Sequence, residues 1–141
     1  MDRITIEEKP RDTVGIVVFS KLNDVLQSVA LRDNGEAWTY YGGDKREGEP
    51  GALAAQRWLR DLLNLDVSAD ELVAFARTSD SVGTCTLFAI GLEGNVPACQ
   101  WALSQLPKYL SEMALDVPVM IEMAKLALTF PNDIFFTAEM R

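Results

Sequence analysis

Residues 38–65 read WTYYGGDKREGEPGALAAQRWLRDLLNL and hold the groups best placed for chemistry. Aromatics lead to Gly42-Gly43, a charged turn follows with Glu47 and Glu49, and a helical pattern then carries Arg57 and Asp61. Strand, glycines and helix in this order can build a phosphate site. Glycine lets backbone approach a ligand, and a helix N-terminus favours anions. The chain has no histidine. That excludes Ser-His-Asp and Cys-His nucleophiles, histidine-bearing zinc sites and an imidazole proton shuttle. Any catalysis must rest on carboxylates, lysine, tyrosine or a hard cation held by oxygen, Mg2+ or Mn2+.

Bulk composition sets the frame for these groups. With 141 residues, 48% hydrophobic and 24% charged, the chain is expected to be one domain, 1–141, with an ordinary core. The net charge of −8 argues against a general grip on nucleic-acid backbone, which needs a basic face. A small phosphorylated ligand is compatible with it, because a local pocket or a bound cation offsets an acidic average. Cys85 and Cys99 have no CxxC spacing and read as free thiols of a reducing compartment. The N-terminus is charged, and no apolar run reaches the length of a membrane span. A cytoplasmic protein without membrane attachment is the expectation.

The elements that must position the site follow from periodicity. Ile4–Glu8 and Thr13–Lys21 read as strands, the second central and rich in β-branched residues. Gly15 within it predicts a bulge or a close backbone approach. Val25–Arg32 forms a hairpin with it across the turn Leu22–Asp24. Asp33-Asn34-Gly35 is a turn, and Ala37–Tyr41 a short strand ending at Gly42-Gly43. The clearest helix is Gly51–Leu65, with the stripe Ala55, Trp58, Leu59, Leu62 and Leu63. Pro50 stands at its start and Asn64 is a candidate left-handed cap. Ser68 with Glu71 reads as a capping box. Val73–Thr78 and Cys85–Leu92 are strands. Ala98–Leu103 reads as an edge strand, Leu106–Met113 as a short helix and Pro118–Leu128 as the second main helix. The tail from Phe130 is packed or strand-like. Mixed strands with covering helices make an α/β fold.

Within this frame, 38–65 resembles the Nudix box: Gly, five residues, Glu, seven residues, then Arg-Glu-apolar-x-Glu-Glu-x-Gly-apolar. Gly43, Glu49, Arg57, Leu59 and Leu65 fall in step with it. Trp38-x-x-x-Gly42-Gly43 resembles the usual lead-in, with Tyr41 in place of proline. TVGIVVFS resembles the family's first core strand, and Trp101-Ala-Leu-Ser-Gln-Leu-Pro107 its segment before the closing helix. The resemblance implies a Nudix-type α/β/α sandwich with a curved mixed sheet. It also implies a Glu49–Arg57 pair tying loop to helix. In the family, three helix carboxylates bind divalent cations that bridge a diphosphate. The matching positions here are Trp58, Asp61 and Leu62, and Asn64 replaces a glycine.

By this resemblance the candidate catalytic residues are Glu49 and Asp61. Gly42, Gly43, Arg57 and Trp38 are the candidate ligand-binding residues. Glu49, Asp61 and Glu93 are the candidate metal ligands, with Glu47 a further carboxylate and Mg2+ or Mn2+ the cation if the chain is active. Scaffold kept and ligands lost imply a binding or regulatory domain for a nucleotide-like molecule or a protein partner, weak or inactive as a pyrophosphohydrolase. The alternative is an Mg2+-dependent hydrolase of a nucleoside-diphosphate-linked compound using the altered carboxylate set. A third reading is an interaction protein whose cleft is filled by Trp58 and Leu62. The closing helix is apolar nearly all round, and with the FPNDIFF tail it points to a homodimer.

Overall fold

A computed structural model describes residues 10–131 and 133–139. The strand expected at Ile4–Glu8 lies outside the described residues, as does the end of the tail.

β1 (Arg11–Leu22) is the axis of the molecule. Its β-branched run alternates between two cores: Val14, Ile16 and Val18 point to one, Val17 and Phe19 to the other. A strand buried on both faces reads as continuous hydrophobicity, which is why 14–19 lacks polar interruption. β2 (Val25–Val29) returns antiparallel from β1. Asn23 and Asp24 take positive φ of 51° and 65° between them, as a tight hairpin requires. The single strand expected over 25–32 is divided. After β2, Ala30 still bonds the Val18 carbonyl at 2.9 Å. The chain then enters a separate ribbon of β3 (Arg32–Asp33) and β4 (Trp38–Thr39). The expected turn closes that ribbon: Asp33 Oδ1 accepts from Gly35 N and Asn34 Oδ1 from Glu36 N and Ala37 N.

β5 (Tyr41–Asp44) pairs with the first half of β1, from Thr13↔Asp44 to Ile16↔Tyr41. Gly42 and Gly43 therefore lie inside a strand, and the loop begins after Asp44. A Cβ on Gly42 would strike the Val14 carbonyl, so glycine is needed for the two strands to meet.

α1 (Gly51–Leu63) lays Ala54, Ala55 and Leu59 on the core face containing Val14, Ile16 and Val18. Asn64 ends it at φ 53°, with Leu65 N bonding the Leu59 carbonyl at 3.1 Å. This is the expected left-handed cap, and it stops the helix two residues before Leu65. A 3-10 turn at Ala69–Glu71 carries the expected capping box on Ser68 and Glu71. β6 (Val73–Ser79) and β7 (Gly83–Glu93) form a hairpin, and β7 runs parallel to β1 from Arg11↔Gly83 to Lys21↔Glu93.

The edge strand expected at 98–103 contracts to β8 (Trp101–Ala102), paired with β2. A 3-10 segment, Leu103–Glu112, replaces the expected helix at 106–113. Pro107 lies inside it and lacks the N–H an α-helix needs, and Tyr109 leaves helical geometry at φ −122°. α2 (Val117–Thr129) buries Val117, Met120, Ile121, Ala124 and Ala127 on the other core, with Val17, Phe19 and Phe75. β9 (Phe136–Glu139) adds to β6 in parallel. The main sheet order is β8-β2-β1-β7-β6-β9, with β5 beside β2 along β1. A mixed sheet lies between α1 and α2. Among the described residues no helix is long and apolar enough to cross a membrane.

Candidate ligand site

The loop between β5 and α1 is fixed by one ion pair. Arg57 Nε donates to Glu49 Oε2 at 3.1 Å and Nη2 to Oε1 at 2.8 Å. This is a two-point contact between planar groups, and both side chains are largely buried. Glu49 Oε1 also accepts from Arg46 N at 3.0 Å. The Arg57 hydrogen bonds, then the Arg46 N–H, hold the Glu49 carboxyl down at about 2. Glu49 in turn raises Arg57, and Asp61 adds a smaller share. The resemblance implied this pair, and the geometry contains it. Both partners are engaged with each other, and Arg57 does not line the cleft described below.

Trp58 completes the closure. Its indole lies over Gly43 so tightly that a Cβ there would clash with it, 2.4 Å from two of its ring carbons. Its Nε1 donates to the Asp44 carbonyl at 2.8 Å, which also accepts Arg57 Nη2 at 3.0 Å. Asp61, three residues on, is exposed, and Leu62 is 40% exposed on the same side of the helix. Trp58 therefore packs against the loop, while Leu62 faces outward and plugs nothing.

The carboxylates do not converge. Glu93 is paired in register with Lys21, at the opposite end of β1 from Thr13 and its partner Asp44. Eight strand residues separate those positions, roughly 26 Å at ~3.3 Å per residue. Glu93 instead accepts from Asn23 N at 3.0 Å, bracing the β1–β2 turn. Glu47 is exposed on the loop. Among the described residues no three of Asp, Glu and Cys group as a metal site. The residues at the three helix positions, an indole, one exposed carboxylate and a leucine, do not fit the divalent cation that the box resemblance implies. A hard cation needs several oxygen donors around one point.

What the structure does build is a cleft of ≈ 420 Å3 beside Gly42 and Gly43. Its walls include Thr13, Arg32, Tyr40, Cys85, Asp116 and Met120. Its size falls in the ordinary range for small-molecule sites. Tyr40 reaches it because Gly15 leaves room: the Tyr40 ring comes 2.7 Å from where a Gly15 Cβ would be. The close approach expected at Gly15 is thus made by side chains rather than by backbone. The only irregularity of β1 against β2 lies at Ser20/Lys21.

Tyr40 Oη donates to Asp116 Oδ2 at 3.1 Å. Asp116 stands at the start of α2 but makes no capping hydrogen bond. It faces Tyr40, and no hydrogen bond from the described residues reaches its Oδ1. Burial, reinforced by the Asp116 charge, raises the Tyr40 phenol above its ordinary range. Burial likewise raises the Cys85 thiol. At neutral pH the wall therefore offers a neutral phenol and a neutral thiol.

Of the sequence-derived site residues, Gly42 and Gly43 line this cleft. Trp38 does not: its ring stacks edge-on against Trp101 at 5.0 Å, at the margin of the α2-side core. Arg32, Cys85 and Asp116 were not singled out as ligand residues by the sequence. A weak signal existed for Tyr40, whose alternation with Trp38 puts the two rings on one side of an extended strand.

No protein-family model matches the chain, and no curated protein matches it. Solved structures do. A NUDIX hydrolase from Nitrosomonas europaea aligns over 95% of this chain and 80% of its own, with a TM-score of 0.64 and 13% identity. The NUDIX domain of Shewanella oneidensis NrtR, solved with ADP ribose, aligns over 86% and 90%, with a TM-score of 0.57 and 19% identity. A chain in the crystal structure of the complex between the C-terminal domain of mouse MUTYH and human PCNA aligns over 89% and 95%, with a TM-score of 0.63 and 10% identity. The chain has the Nudix fold.

Proposed function

We propose that this Nudix-fold chain binds a nucleotide-like ligand in the Tyr40–Asp116 cleft and does not hydrolyse it at an ordinary rate. The observation that carries the reading is Trp58. It occupies the first of the three helix positions where the box resemblance expects a carboxylate, and it is seated on Gly43 with its N–H spent on Asp44. Metal-assisted phosphoryl transfer needs a cation to polarise the phosphate and activate water. Asp61 is the one anionic donor left at those positions.

The cleft supports binding in its own right. Asp116 keeps one carboxylate oxygen for a ligand N–H or O–H. Arg32 supplies a cation at the wall, and the Thr13 and Tyr40 hydroxyls supply directional contacts. A base or sugar edge with donors, joined to a phosphate, matches that set. The ADP ribose bound by the NrtR domain belongs to this chemical class.

Calorimetry with ADP and with ADP ribose, each with and without Mg2+, tests the proposal. The expected result is saturable binding of the same strength in both conditions, weakened in Asp116→Ala, with no phosphate release or diphosphate cleavage. Mg2+-dependent turnover abolished by Asp61→Ala would overturn it in favour of an active hydrolase. Absence of binding to every nucleotide tried, by heat and by thermal shift, would leave the cleft a structural feature and the chain an interaction protein.

A further inference from the structure

The face of α2 turned away from the core carries an apolar stripe. Val119 and Leu126 are exposed on it, and Leu115 and Phe130 flank its two ends, with Leu115 99% exposed. Solvated helix faces are ordinarily polar, and exposed apolar side chains grouped on one face mark an interaction site. The stripe has an internal symmetry. Leu115 and Phe130 are equidistant in sequence from the point between Glu122 and Met123, and so are Val119 and Leu126. A second α2 laid antiparallel on the first would put Leu115 against Phe130 and Val119 against Leu126, twice over. That is the self-complementary pattern a two-fold axis demands.

Charge at the centre fits the same partner. Glu122 and Lys125 are paired at 3.0 Å on this helix, and their side chains are 69% and 37% exposed. On a two-fold axis the two Glu122 carboxylates meet, and the two Lys125 ammoniums neutralise them. The central ring of four charges then sums to zero.

We infer that the chain forms a two-fold homodimer through antiparallel α2 helices, with Phe130 of each copy against Leu115 of the other. The interface ends at Leu115, next to Asp116 of the cleft. It does not depend on the ligand reading.

Sedimentation equilibrium of the full chain, from micromolar to millimolar concentration, tests it. The wild type is expected at twice the mass of one chain in the upper range. Leu126→Arg should weaken association about 100-fold, a roughly tenfold effect counted on both copies. Lys125→Glu puts four carboxylates at the axis and should give monomer. The exchange Glu122→Lys with Lys125→Glu restores neutrality and should restore the dimer. All altered side chains reach solvent, so unchanged far-ultraviolet dichroism will show that the fold is kept. A wild type that stays monomeric throughout, or a dimer undiminished by Leu126→Arg and Lys125→Glu, overturns the inference.

Discussion

Two regions flank Gly42-Gly43, and they treat their polar groups in opposite ways. On the α1 side the groups at the junction of loop and helix are turned inward on the protein, while Glu47 and Asp61 stay exposed. Glu49 takes Arg57 and the Arg46 N–H, and the Asp44 carbonyl takes both Arg57 and Trp58. On the α2 side, Asp116 gives one oxygen to Tyr40 and lies in an open cleft with Arg32. That junction is saturated and acts as structure. The α2 side has capacity left over. A fold thus keeps its shape at one wall while the other wall is the place to look for a ligand, which is why fold alone does not assign chemistry.

The largest expected effect breaks the closed wall. Gly43→Val forces a branched side chain into the Trp58 indole. Overpacking of this kind should cost about 3 kcal/mol of stability by urea denaturation. The comparison sharpens in the double variant: with Trp58→Ala the space opens, and Gly43→Val should cost little more than the strand tolerates. Equal costs in both backgrounds would show that Trp58 does not close on Gly43 in solution.

Next comes the open wall. Removing the Asp116 carboxylate by Asp116→Ala should weaken nucleotide binding about 10- to 100-fold, the worth of a hydrogen bond to a charged group. Fold stability should move much less, because Asp116 does not cap α2. The opposite outcome, a large loss of stability with affinity intact, would make Asp116 structural. Tyr40→Phe is the milder probe. It deletes one hydroxyl and should cost about 0.5–1.5 kcal/mol, divided between stability and affinity.

How much of this was legible in the sequence depends on the distance over which each feature is decided. The axis of β1, the Asn64 cap, the Ser68–Glu71 box and the Asp33-Asn34-Gly35 turn are set by neighbours a few residues apart, and each formed where its residues predicted. The 3-10 segment at 103–112 was misread because its apolar spacing suits a helix, while Pro107 denies the α-helical bond. The Glu49–Arg57 pair was legible through the box spacing. Glu93, expected beside Glu49 and Asp61 as a metal ligand, lies at the far end of the sheet, because its position depends on the parallel pairing of β7 with β1, which no local pattern announces. Tyr40 and Asp116 lie 76 residues apart and meet only once β5 and α2 have both packed. By residue type alone, an aromatic in a short strand such as Tyr40 is ordinarily core, and an aspartate just ahead of a helix such as Asp116 is ordinarily a cap. The cleft was therefore hidden behind two ordinary assignments.

The smallest effect returns to the closed wall and is read against pH. Glu49 has a folded pKa of about 2 against an ordinary value of 4.5, lowered first by its Arg57 hydrogen bonds. A depressed carboxyl contributes stability that is fully present above the unfolded value and is lost as pH falls through the folded one. The Glu49 contribution should therefore be intact at pH 5 and above and should drain away between pH 4.5 and 2. Glu49→Gln removes the charge without removing the side chain. The variant should be less stable than wild type at neutral pH, and the difference should shrink towards zero across that acid window. Urea midpoints taken at half-unit steps will show it. A difference that stays constant from pH 7 to pH 2 would mean that Glu49 holds the loop by shape and not by charge, and the closed wall would lose its electrostatic lock.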